Sequence, residues 1–175
     1  MNRNLVNFAG FQATWWATIL SAANGMPWAA AAASGAAVVL HLTLFDRSAQ
    51  ERRLLVAATA VGLVIETTNA LAGFTRFDPR PFDLPIAPAW MIVQWTVLGG
   101  VFRHSLGWIR GRYALAAVLG GIAAPLSYLG GERLGALAVG GTAALVALAV
   151  EYAVAMPLLI AIEARISRPA VDRNP

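Results

Sequence analysis

At 175 residues the chain has the length of one domain, and 58% hydrophobic residues against 13% charged ones exclude an ordinary water-soluble protein. Mean hydropathy is +0.63, and the net charge of +4 rests on 13 arginines, spread among loops with no basic face for nucleic acid. The absence of cysteine excludes disulfides, thiolate catalysis and Cys-based metal sites, and two histidines are too few for a di-iron cluster.

The charges gather in islands between apolar runs of about 18 to 25 residues, the length that crosses a hydrocarbon core of roughly 30 Å as a helix. The first run is Leu5 to Ala23. Arg3 and Ser21-Ala22-Ala23 imitate a cleaved leader, but Gln12, Trp15 and Trp16 inside the run favour a retained span. Asn24-Gly25-Met26-Pro27 reads as a tight turn, with proline starting the next helix. The second run is Trp28 to Phe45, followed by a polar loop from Asp46 to Arg53. The third is Leu54 to Gly73. Phe74 to Ile86 holds Pro79, Pro81 and Pro85, which forbid a regular helix, and its phenylalanines place it against the bilayer interface or over the bundle end.

The fourth run is Ala87 to Gly107, with a basic turn at Ile109 to Arg112. The fifth is Tyr113 to Gly131, kinked by Pro125; Glu132-Arg133-Leu134 is a short turn with a surface pair. The sixth is Gly135 to Ile160, kinked by Pro157, and a polar tail occupies residues 161–175. The prediction is an all-α, single-domain polytopic bundle of six transmembrane helices. With the N-terminus in the cytoplasm, Arg3, Arg47, Arg52, Arg53, Arg103, Arg110, Arg112, Arg165, Arg168 and Arg173 lie inside and Arg76, Arg80 and Arg133 outside. That bias puts both termini in the cytoplasm and the protein in the bacterial inner membrane.

An ionisable side chain in lipid costs about 3 kcal/mol or more and turns toward the bundle interior. Glu66 and Glu151 both fall near mid-bilayer. Glu66 shares a helical stripe with Thr59, Gly62, Asn69 and Gly73, and Glu151 shares one with Gly140, Ala144, Ala147 and Ala155. The fifth run carries Ala117, Gly121, Ala124 and Gly131 with Tyr128, and the first Ala9, Ala13 and Ala17. Gln94 and Arg103 fall on nearly opposite faces of the fourth run; Arg103 either snorkels to the headgroups or reaches Glu151. The candidate intramembrane polar site is Glu66, Asn69, Gln94, Arg103, His104, Tyr128 and Glu151. His41 reads as structural, and Trp15, Trp16 and Trp95 lie deeper than an interfacial belt requires, as if lining a pocket. No catalytic, cofactor-binding or metal-ligand motif is present.

Several segments carry a family likeness: Asn7-Phe8, Gln12, Trp15-Trp16, Ala22 to Trp28, Leu84-Pro85, Pro88 to Met91, His104 to Leu106, Ala124 to Gly131 through Arg133 to Leu137, and Glu151-Tyr152 with Met156-Pro157. In these the chain resembles a family of small bacterial inner-membrane proteins of unknown function. The resemblance implies an aspartate where Glu66 stands, a departure in length but not in charge. It also implies genes near cyclopropane-fatty-acid synthases, hence by association a place in membrane-lipid metabolism or stress response.

The leading expectation is a non-catalytic accessory in membrane-lipid metabolism or envelope homeostasis. It would bind a lipid, a small hydrophobic ligand, a membrane partner or a second copy of itself. The alternatives are a transport component similar to the substrate-binding subunits of energy-coupling-factor transporters, and an enzyme using an intramembrane carboxylate.

Overall fold

Asn2 accepts a hydrogen bond from the Asn4 amide and starts α1, Arg3–Ala23. Proline at the first position opens α2, Pro27–Leu44. Ser48 caps α3, Ala49–Leu71, by accepting from the Glu51 amide at 3.1 Å. This is half of a capping box, because the Glu51 carboxylate turns elsewhere. The remaining helices are α4, Ala89–Gly99, α5, Tyr113–Leu134, and α6, Thr142–Ile166. This computed structural model describes residues 2–77 and 86–168.

Among the described residues, α2, α3, α5 and α6 are long and apolar enough to cross a membrane. α1 has 21 residues, with Asn7, Gln12 and Thr14 interrupting its apolar surface. The outer faces stay apolar: Val64 is 66% exposed and Val154 63%. In water such faces would aggregate; against lipid they are at home.

The fourth predicted span is not one helix. α4 ends at Gly99 after 11 residues, about 16 Å of rise and too short to cross. Turns and a 3₁₀ turn at Gly107–Ile109 carry the chain onward. Non-helical backbone survives at depth only inside protein. Here Val101 and Phe102 are buried, and the Asn7 side chain from α1 satisfies the break. Its Nδ2 donates to the Gly100 carbonyl at 3.1 Å, and its Oδ1 accepts from the Ser105 amide and hydroxyl.

The fifth and sixth boundaries also move. α5 runs through Glu132-Arg133-Leu134 and stops at Gly135, whose φ of 86° is the left-handed end of a helix. α6 begins at Thr142 and continues past Ile160 to Ile166, through the first residues of the predicted tail. Between them β2, Ala138–Val139, pairs antiparallel with β1, Thr75–Arg76. Glu132 accepts from the Val139 amide at 2.8 Å, so it braces this ribbon instead of forming a surface pair with Arg133. Among the described residues, two two-residue strands are the departure from an all-α chain.

The core has two parts. One gathers Ile19, Phe77, Trp90 and Tyr128; the other Leu54, Trp95, Ile109 and Leu159. Phe77 packs edge-on against Trp90, an inward role for one of the loop phenylalanines. Pro79, Pro81 and Pro85, with Arg80, lie outside the described residues, as does Arg173 in the tail. The two ends of the described chain meet at one end of the bundle: Arg3 donates to the Phe45 carbonyl, and Arg103 bridges Asp46 and Glu163.

Candidate functional site

The Glu66 carboxylate sits where the two core clusters meet. It is fully buried, and its Oε1 accepts from three aromatic donors on three other helices. Trp95 Nε1 of α4 donates at 2.8 Å, Tyr152 Oη of α6 at 3.2 Å, and Tyr128 Oη of α5 by a short contact. The two tyrosine hydroxyls lie 3.3 Å apart, and the Trp95 and Tyr152 rings pack with centroids 4.7 Å apart. Oε2 is buried and has no hydrogen-bond partner among the described residues. One turn further along α3, Asn69 Nδ2 donates to Glu151 Oε2 at 2.7 Å. Hydrogen bonds to one buried carboxylate thus pin four helices together.

Beside this group lies a half-open cavity of about 700 Å³ between α1, α4, α5 and α6. Trp95, Tyr128 and Tyr152, the three donors to Glu66, form part of its wall. Trp15, Trp16 and Met91 supply apolar surface, and Gln12 and Gln94 supply amides. Trp15 Nε1 donates to Ser127 Oγ at 3.1 Å, tying α1 to α5. Gln94 Oε1 accepts from Ser34, which is bonded to Thr18.

A second polar centre occupies the end of the bundle where the chain ends meet. Glu51, Asp46, Glu163, Arg103, Arg110, His41 and His104 converge there from five segments. Glu51 is fully buried and sits 2.7 Å from His41 Nε2 and 3.8 Å from His104 Nε2. Arg103 Nη1 donates to Ser48 Oγ at 3.0 Å and lies 3.4 Å from Asp46 and 3.5 Å from Glu51. Arg110 grips buried Glu163 with two nitrogens.

Burial pushes the Asp46 carboxyl up, but hydrogen bonds from Ser48 and the Arg103 charge outweigh it and hold the group below its ordinary value. A depressed folded value means the stabilisation is present above the unfolded carboxylate range and is lost as pH falls through the folded value. Melting of the detergent-solubilised protein is therefore expected to drop on acidification below about pH 4, and Asp46→Asn to remove part of that drop. A variant with the wild-type pH profile would contradict it.

The seven sequence-predicted site residues divide. Glu66 and Tyr128 bond directly, Asn69 and Glu151 pair beside them, and Gln94 lines the cavity. Arg103 and His104 belong to the other centre. Arg103 meets Asp46, Glu51 and Glu163 instead of Glu151, because α4 stops at Gly99 and the turns that follow face the α2–α3 loop. Trp95, Tyr152, Glu51 and Glu163 were absent from that set; for Glu51 the available signal was the capping pattern at Ser48, and for Glu163 its place directly after the apolar run of α6. Trp15, Trp16 and Trp95 all line the cavity. Ala9, Ala13 and Ala17 face out of the bundle, while α1 buries Asn7, Thr18, Ile19 and Ala22.

A family described as "Protein of unknown function (DUF2878)" matches residues 4–158. The matched stretch contains the Glu66 group and the whole bundle-end centre except Glu163. No curated protein and no solved structure matches the chain.

Proposed function

The chain belongs to this family of unknown function, and from its geometry we propose that it is an integral membrane protein that binds a lipid or similar apolar molecule in the cavity beside Glu66. One observation carries the reading: the cavity of about 700 Å³ has mostly apolar walls with a few polar groups, among them the three side chains that donate to Glu66 and the amides of Gln12 and Gln94. Ligand sites commonly have this size and this mix of apolar lining and a few placed polar groups. An acyl or prenyl chain suits the tryptophan-lined part, and a headgroup hydroxyl or carbonyl suits the tyrosine hydroxyls and glutamine amides.

The reading is non-catalytic: it needs the Glu66 group only to pin the helices and to present hydroxyl and indole groups to a ligand. Six passes, counting α4 with its following turns as one, and cytoplasmic termini in a bacterial inner membrane are supported by the arginine bias and by the meeting of the chain ends. A role as an accessory in membrane-lipid metabolism or envelope homeostasis follows if the ligand is a lipid. The exposed face of Ala9, Ala13 and Ala17 is where a membrane partner or second copy would approach.

Native mass spectrometry of the gently extracted protein tests this. A bound lipid is the expected result, and a bound water-soluble small molecule favours the transport-subunit reading. Ala123, exposed and lining the cavity, gives the control: Ala123→Trp fills the space and should strip the ligand while the protein still folds, its melting temperature falling no further than that of delipidated wild type. A wild-type protein that carries nothing, or an Ala123→Trp variant as fully loaded as wild type, overturns the proposal.

A further inference from the structure

The bundle-end centre brings together the chain's two histidines and a buried carboxylate. His41 comes from α2, Glu51 from the first turn of α3, and His104 from the turns after α4. One ligand-type atom from each lies within 4.8 Å of the other two. Around a tetrahedral ion with bonds of about 2.0–2.1 Å, ligand atoms stand roughly 3.3 Å apart. His41 Nε2 and Glu51 Oε1 are hydrogen-bonded at 2.7 Å, a contact that an ion between them would replace, and His104 Nε2 lies 3.8 Å from the same oxygen; the two distances bracket that spacing.

A further observation points to a ligand. His104 Nε2 is a buried atom without a hydrogen-bond partner among the described residues, and the Glu51 side chain beside it is completely buried. Buried polar atoms of this kind call for an explanation. The imidazoles are also held in place: the Phe45 ring stacks on His41 at 5.7 Å, and His104 meets both His41 and Phe45 edge-on.

We propose that His41, Glu51 and His104 bind a divalent transition-metal ion of the zinc or ferrous class at the end of the bundle. Two imidazole nitrogens and one carboxylate oxygen are the donors these ions prefer, and three protein ligands leave a coordination position open. The local charge allows it. Three carboxylates, Asp46, Glu51 and Glu163, face two guanidinium groups, Arg103 and Arg110, so carboxylates outnumber the guanidinium groups by one. Glu51 serves through Oε1, and its Oε2 remains toward Arg103 at 3.5 Å as a support outside the coordination shell. The site is separate from the Glu66 cavity, since Glu51 and Glu66 stand about 22 Å apart along α3.

The chain suits a clean test because it has no cysteine and no third histidine. Full-length protein carrying a histidine-free tag, in nanodiscs, is titrated with Co²⁺ and separately loaded with Zn²⁺. Expected are one ion per chain, a visible Co²⁺ absorption spectrum of low coordination number, and X-ray absorption of the zinc form showing two imidazoles at about 2.0–2.1 Å. His104→Ala should weaken binding by roughly 100-fold or more, at least the upper end of what supporting residues cost. Wild-type protein that retains no ion, or a zinc spectrum without imidazole, overturns the proposal; so does a folded His104→Ala variant that binds like wild type. The spectra of the wild-type protein decide the matter even if the variant does not fold.

Discussion

Glu66→Leu is expected to destabilise the protein by about 2–4 kcal/mol and to empty the cavity. The change removes the acceptor shared by Trp95 Nε1, Tyr128 Oη and Tyr152 Oη. Hydrogen bonds between membrane helices average only about 0.6 kcal/mol, because chains unfolded in the bilayer also find partners, which sets the lower bound near 2 kcal/mol for three. Leaving buried donors without partners adds about 1–3 kcal/mol for each one that cannot recover. The tyrosines recover part of this by bonding each other across 3.3 Å; the Trp95 indole has no second acceptor among the described residues. Glu66→Gln keeps an acceptor oxygen and should lose less, roughly 1 kcal/mol. Reversible unfolding in mixed micelles gives the stabilities, and native mass spectrometry gives ligand occupancy. A leucine variant as stable and as loaded as wild type removes the polar group from both the fold and the proposed binding site.

That carboxylate was legible in the sequence because an acid surrounded by apolar residues has one inexpensive place to go. Gly62 and Asn69 on the same helical face said which way it turns, and all three are buried. Its partners were harder. Trp95 and Tyr152 are apolar in most of their atoms, so each reads as packing until the opposing carboxylate is seen. The bundle-end centre was hidden for the opposite reason. Glu51 and Glu163 lie in stretches that also carry arginines, where a charge is expected to meet water, and both are nevertheless buried. Nor does spacing announce His41, Glu51 and His104, since the third ligand comes from a segment two helices later.

The fold divides similarly. Hydropathy located α2, α3, α5 and α6, where a long apolar run leaves the helix no alternative in lipid. It did not find the break after Gly99, because Gly100, Val101 and Phe102 are as apolar as a helix would be. What permits the break is tertiary: Asn7, on a helix almost a hundred residues earlier, supplies both a donor and an acceptor to the unwound backbone. The β1–β2 ribbon is too short for any alternation to show, and it forms because Gly140 donates to the Phe74 carbonyl beside it at 2.9 Å.

Gly62→Ala is expected to be as damaging as the loss of Glu66 itself, though it adds one methyl group. A β-carbon at position 62 would lie 2.2 Å from Trp95 Cγ and 2.5 Å from Trp95 Cβ and Cδ1. The obstacle is the root of a rigid indole, next to its own backbone, so no rotation of a flexible end relieves it. Either α3 and α4 separate or the indole leaves its place. Both outcomes break the Trp95–Glu66 hydrogen bond, and both change the cavity wall. Forced overpacking costs about 1–3 kcal/mol, and the lost hydrogen bond and its orphaned donor add about 1–3 kcal/mol more. Gly10→Ala in α1 is the comparison: a β-carbon there meets nothing within 4 Å, so stability should hold or rise by as much as about 1 kcal/mol. Tryptophan fluorescence should report the displaced indole in the Gly62 variant alone, together with a lower unfolding midpoint and reduced ligand occupancy. Equal stability of the two alanine variants would mean that α3 and α4 do not approach as closely as the Gly62–Trp95 contact requires, and the helix pairing that places Trp95 in the cavity wall would have to be redrawn.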